Sequence, residues 1–190
     1  AAPALGPAGE LLVAWSGTDG ADDLGIWLAR FDGGLKSLGP VLNISTGAGL
    51  KNEPVLCGLP GGRYLAAWSA DAQNAGGRLQ IHTRLLEADG TPIGDSDSEV
   101  LTGAEGGHWL ADAACAAGGY VVAGVRSDPD ETFGVFAWRH DAEGKPIGEA
   151  ITVHDDPAGG QIFPAVGLAD DGSAVIAWDD SLEVDGVGVD

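Results

Sequence analysis

Methionine is absent from all 190 residues, position 1 included, so the chain as read opens on no translation start; Ala1-Ala2-Pro3-Ala4 fits either the residue of a removed export signal or an internal cut. Basic residues are scarce, 9 against 29 acidic ones, for a net charge of −20. A chain that acidic repels nucleic acid and anionic membrane, because both are polyanions. No apolar run approaches the roughly 18 residues that a membrane helix needs. Cysteine is limited to Cys57 and Cys115. Two cysteines allow one bridge and no metal-ligand spacing; they are read here as two separate small buried residues, with a bridge as the alternative in an exported protein. The four histidines, His82, His108, His140 and His154, show no His-x-x-x-His spacing, which argues against zinc. There is no Gly-x-Ser-x-Gly nucleophile elbow and no phosphate-binding Gly loop with Lys. Helical periodicity is missing as well.

What is present is a repeat. Leu11-Leu12-Val13-Ala14-Trp15 returns as Tyr64-Leu65-Ala66-Ala67-Trp68, as Tyr120-Val121-Val122-Ala123-Gly124 and as Ala174-Val175-Ile176-Ala177-Trp178, with steps of 53, 56 and 54 residues. Such regularity marks a repeat architecture. The stretch is apolar at nearly every position, as in a strand covered on both faces. Its recurring tryptophan is read as packing between units.

Around that strand, each repeat reads as four short strands. A first strand follows Pro3, Pro54 or Pro164, or Leu110 in the third repeat, and ends in a Gly-rich turn. An acidic Gly-containing loop leads to a third strand carrying Arg30, Arg84 or Arg139 at one position, expected to pair structurally with a loop carboxylate. The next turn is Asp89-Gly90-Thr91-Pro92-Ile93-Gly94 and Glu143-Gly144-Lys145-Pro146-Ile147-Gly148, with Gly34 to Gly39 as a degenerate copy. A short fourth strand follows. The reading is an all-β fold: a β-propeller of four-stranded antiparallel blades, three full and a partial fourth, at about 1–52, 53–107, 108–160 and 161–190. Glycine, 32 of 190, sits at the turns rather than in low-complexity tracts.

Acid clusters are the candidate sites. Asp95, Asp97 and Glu99 alternate and can converge on Ca²⁺ in a loop, without the Gly and terminal Glu of an EF-hand. Asp19, Asp22 and Asp23 form a second candidate set, Asp128 and Asp130 a third, and Asp179, Asp180 and Asp185 a fourth. Solvated loop acid is the competing reading for each. Trp109 and Trp138 lie outside the repeated tryptophan position and are the candidate ligand contacts.

In its ordered motifs the chain resembles a repeat common in large bacterial cell-surface and secreted proteins. Gly25-Ile26, Arg30-Phe31-Asp32, Asn43-Ile44-Ser45-Thr46, Gln161 and Pro164 carry the likeness; Leu110 and Gly124 depart from it. The resemblance implies an extracellular, propeller-like bacterial module, often adhesive or calcium-rich. The expectation is therefore a non-enzymatic binding, adhesion or assembly module, calcium-stabilised, with a protein or glycan partner, and with self-association or another chain completing the ring. The alternatives are a glycan-active propeller hydrolase using loop carboxylates and a structural subunit of a larger assembly.

Overall fold

The structure, a computed structural model, describes residues 1–18, 24–71, 79–100, 107–127, 133–154 and 159–180. It holds three four-stranded antiparallel sheets and one two-stranded sheet, each built from strands consecutive in the chain. The first comprises β1 (Ala2–Leu5), β2 (Leu11–Gly17), β3 (Gly25–Phe31) and β4 (Leu42–Asn43). The second comprises β5 (Lys51–Gly58), β6 (Tyr64–Asp71), β7 (Leu79–Leu86) and β8 (Ser98–Glu99). The third comprises β9 (His108–Ala116), β10 (Gly119–Ser127), β11 (Phe133–His140) and β12 (Ile151–Thr152), and the last β13 (Gln161–Leu168) with β14 (Ala174–Asp180). The first strands β1, β5, β9 and β13 touch in that order, as blades fanned about an axis do. The all-β propeller architecture expected from the repeat is the one observed. Among the described residues no helix is long and apolar enough to cross a membrane.

Blades adhere through two apolar cores. Leu12, Ala14, Ile26 and Leu28 of the first blade meet Tyr64, Ala66, Trp68 and Leu86 of the second. Leu65, Ala67 and Ile81 of the second meet Tyr120, Val122, Phe136 and Trp138 of the third. Alternate residues of β6 thus serve different neighbours, which is why a strand with a two-residue side-chain period is apolar throughout. The same is true of β10. It is not true of β2, half covered, or β14, largely exposed, whose Val175 is 75% exposed where its counterpart Leu65 is buried. Each of these strands has a neighbouring blade on one side only among the described residues. Trp68 is fully buried accordingly, while Trp15 and Trp178 are half-buried.

The first strands begin earlier than the prolines suggest. β5 opens at Lys51 and β13 at Gln161, three residues ahead of Pro54 and Pro164. A β-bulge then places Glu53 and Pro54 opposite Trp68, and Phe163 and Pro164 opposite Trp178. Proline is tolerated there because a bulged residue owes no ladder hydrogen bond. Pro3 is different: it pairs with Val13 inside a regular ladder and is not the counterpart of Pro54.

Gly124, where the third repeat drops its tryptophan, is a packing solution. A Cβ there would lie 2.4 Å from the Trp109 carbonyl oxygen and 2.7 Å from Ile81 Cδ1. The bulk comes instead from Phe136, its cross-strand partner, which is buried in the same core. In the second blade the pair is reversed, with Trp68 large and His82 opposite it, their rings stacked at 6.4 Å. The degenerate turn of the first blade keeps its geometry too: Leu35 has φ 61° at the place where Gly90 and Gly144 have φ 81° and 87°.

The reading of Cys57 and Cys115 as separate thiols is corrected. They form a disulfide between β5 and β9, with Cα atoms 5.6 Å apart. Equivalent first strands of adjacent blades approach closely near the axis, a proximity that 58 residues of intervening sequence conceal. The Arg expectation also needs refinement. Arg84 meets the carboxylate of Asp97 at 3.4 Å, whereas Arg30 and Arg139 donate to backbone carbonyls of the following blade, those of Asp89 and Gly172, each at 3.2 Å.

Two outcomes follow from this packing. Reducing the bridge, or replacing both cysteines by serine, lowers stability by roughly 2–4 kcal/mol, since a loop of this length then regains its entropy in the unfolded chain; chemical denaturation with and without reductant measures it. Gly124→Ala costs about 1–3 kcal/mol by overpacking, whereas Ala at exposed Gly39 leaves the unfolding midpoint unchanged.

Candidate functional site

A concavity of about 650 Å³ lies where the openings of three first strands converge. Glu53, Pro54 and Val55 come from β5, Trp109 from β9, Ile162, Phe163 and Pro164 from β13, and Val125 and Phe133 from β10 and β11. Trp109 and Phe133 meet edge to face with ring centroids 5.6 Å apart, a favoured aromatic geometry. Trp109 is half-buried and Phe163 is 72% exposed. Glu53 is the one carboxylate of this wall among the described residues. Asp179 stands directly across the β13–β14 ladder from Ile162, so a second carboxylate shares the sheet face beside the wall.

Behind the lip is a set of residues invisible as a motif. Lys51, His108 and Gln161 occupy the same register position, each opening its first strand opposite Ala70, Arg126 and Asp180. All three are polar and at most 3% exposed. The Lys51 ammonium donates to the Gly47 and Gly49 carbonyls at 2.8 and 3.4 Å, pinning the connection that enters β5. His108 Nδ1 lies 3.0 Å from Gln80 Oε1, which ties the opening of β9 to the second blade. Burial lowers the His108 pKa, and the Arg126 charge adds to that effect, so the ring is held neutral. These residues fix the strand openings that carry Glu53, Trp109 and Phe163.

The sequence-nominated residues fall differently. Trp109 lines the cleft. Trp138 does not: it is 4% exposed, with its ring 6.3 Å from Phe136 and 6.1 Å from His108 in the core between the second and third blades. Its β11 position faces the neighbouring blade, which leaves a ligand no access, and the contact role is withdrawn. Asp95, Asp97 and Glu99 do not converge as a calcium loop. The Asp97 side chain is 3% exposed, and its carboxylate accepts from the Thr46 amide at 2.8 Å and from the Thr46 hydroxyl. It also meets Arg84 at 3.4 Å and the His82 ring at 3.4 Å. It is a clasp between the first and second blades, with its lone pairs already engaged. Asp95 is exposed, and Glu99 sits in β8 opposite His82. No group of three or more acidic, His or Cys side chains able to hold a metal occurs among the described residues. Asp19, Asp22, Asp23, Asp128, Asp130 and Asp185 lie outside the described residues.

Many other acids build turns. Asp32, Asp141 and Asp171 each accept from amides two residues ahead, at 2.9 to 3.1 Å. Asp112 takes the Val166 amide of the last blade at 2.8 Å.

No protein-family model matches the chain, and no curated protein matches it in sequence. Solved structures do match in shape. One is an endo-arabinase from Bacteroides thetaiotaomicron VPI-5482: TM-score 0.54 and 12% identity over 90% of this chain and 66% of that one. The chain thus spans just under two thirds of that enzyme's length. Another is a thermostable family-43 glycoside hydrolase: TM-score 0.53 and 16% identity over 94% of this chain and 70% of that one. At such identities the likeness shows the fold, a β-propeller. Solved structures that share it are an endo-arabinase and a glycoside hydrolase, which corrects the expectation of a non-enzymatic adhesion or assembly module, drawn from the regular repeat, its resemblance and the lack of catalytic motifs.

Burial works to raise the Asp97 pKa, but the His82 and Thr46 side chains outweigh it and hold the carboxyl below its ordinary value. Its stabilisation is therefore complete above about pH 4 and is lost as pH falls through the lower folded-state value. Asp97→Asn leaves Arg84 buried beside a neutral amide and costs roughly 3 kcal/mol near neutrality. In urea titrations across pH 2–7 the variant shows a shallower acid-side dependence than the parent; an unchanged profile sinks the clasp.

Proposed function

We propose that the chain is the ligand-bearing part of a glycan-active propeller, a glycoside hydrolase in reaction class. The observation that carries this is the cleft itself. It joins residues from three blades, is lined by both a carboxylate and a half-buried indole, and lies on a fold shared with an endo-arabinase and a family-43 glycoside hydrolase. An indole face receives the carbon side of a sugar ring, and a carboxyl serves as acid, base or nucleophile at the anomeric centre. Glycoside hydrolysis uses two carboxyl groups about 5–10 Å apart across the bond. Glu53 is assigned as one, and Asp179, beside the Ile162 wall, is the candidate for the other. Export to an oxidising compartment is part of the proposal, supported by the Cys57–Cys115 bridge.

The test is release of reducing ends from a panel of polysaccharides that includes arabinan. Glu53→Gln lowers kcat about 10²- to 10⁴-fold with little change in binding. Trp109→Ala weakens binding about tenfold or more while the chain stays folded. Absence of cleavage across the panel, or full activity in Glu53→Gln, removes the reading.

A further inference from the structure

Three described residues other than glycine adopt a left-handed backbone: Leu35, Glu53 and Phe163. Bulky L-residues avoid that region, and where they hold it the strain often marks a functional position. Leu35 is accounted for by its turn. Glu53 and Phe163 are not turn residues. With φ 54° and 52°, they occupy the same place in two blades, the first bulge residue before a proline, and both line the cleft. A bulge re-aims a side chain, and here two of them present one carboxylate and one phenyl ring to a shared space. Phe163 makes no contribution to either blade core. At 72% exposure it gives up little water for the strain it holds.

The rest of the wall is apolar. Apart from Glu53, all the lining side chains are hydrocarbon or aromatic, and the Trp109 indole N–H is their sole polar group. Sugar hydroxyls pressed against Phe163 and Phe133 would lose water without replacement partners. A flat apolar group placed there loses nothing and covers exposed aromatic surface.

Building on the glycan-active reading, we infer that the cleft selects glycosides bearing an aryl or aromatic-acyl substituent. The sugar lies toward Glu53 and Trp109, and the substituent is seated against Phe163. Phe163 is thus a specificity residue, held in place by its bulge rather than by the core.

The experiment compares calorimetric binding of phenyl arabinoside, methyl arabinoside of the same anomer, and phenol, with turnover suppressed by Glu53→Gln. The phenyl glycoside binds at least about tenfold more tightly than the methyl glycoside, and phenol alone binds far more weakly than the phenyl glycoside. Phe163→Gly, which suits the left-handed backbone, abolishes the phenyl preference while the melting temperature holds or rises. Equal affinities for the two glycosides overturn the inference and leave the glycan-active reading intact. Phenol matching the phenyl glycoside overturns both, since the cleft would then be an apolar site indifferent to sugar. A fall in the melting temperature of Phe163→Gly with the preference intact makes Phe163 structural and likewise overturns the inference.

Discussion

The two middle blades are covered on both broad faces by their neighbours, and the outer two, among the described residues, on one. An isolated antiparallel sheet of two to four short strands buries too little apolar surface to offset its ordering entropy. In this chain the deficit is met between blades, where Tyr64, Trp68 and Leu86 lie against Leu12, Leu28 and Ile44, and where Tyr120, Phe136 and Trp138 lie against Leu65 and Ile81. Bulk must be conserved across each junction rather than at each position. The exchange of Trp68 facing His82 for Gly124 facing Phe136 keeps the junction filled while the repeat appears broken. The Asp97 clasp to Thr46, the Asp112 bond to Val166 and the Cys57–Cys115 bridge cross blade boundaries as well. They set the relative position of sheets that apolar contact alone would let slide.

The candidate site follows from the same arrangement. First strands approach one another near the axis, so whatever opens those strands from successive blades shares one space. Buried Lys51, His108 and Gln161 anchor the openings, and the bulges after Lys51 and Gln161 turn Glu53 and Phe163 out of the ladder toward the cleft. Such a site tolerates extensive change in sequence, because the scaffold supplies position and the bulge residue supplies chemistry.

Part of the acidity of the chain has a structural meaning. Carboxylates at Asp32, Asp141 and Asp171 serve as turn acceptors, and Asp97 and Asp112 accept backbone amides across blades. In sequence, these acids look the same as metal ligands. A run such as Asp95, Asp97 and Glu99 has the alternation of a cation loop, but the middle carboxylate turns inward to Arg84 and Thr46 instead.

The amino-acid sequence alone determined the repeat, the four-stranded unit, the turn chemistry and the blade architecture. These are encoded locally, in short apolar strands, in glycines placed for turns and in a spacing of 53 to 56 residues. The degenerate turn at Leu35 was legible for the same reason, by alignment with Gly90 and Gly144. Only the tertiary structure decided what meets across blades: the cysteine bridge, the burial of Trp138 against the exposure of Trp109, the capture of Asp97, and the pairing of Glu53 with Phe163 around one cleft. Those depend on distances between residues some 50 to 110 positions apart, and these are set by how the sheets fan about the axis and by a one-residue bulge, neither of which leaves a periodic trace in the chain.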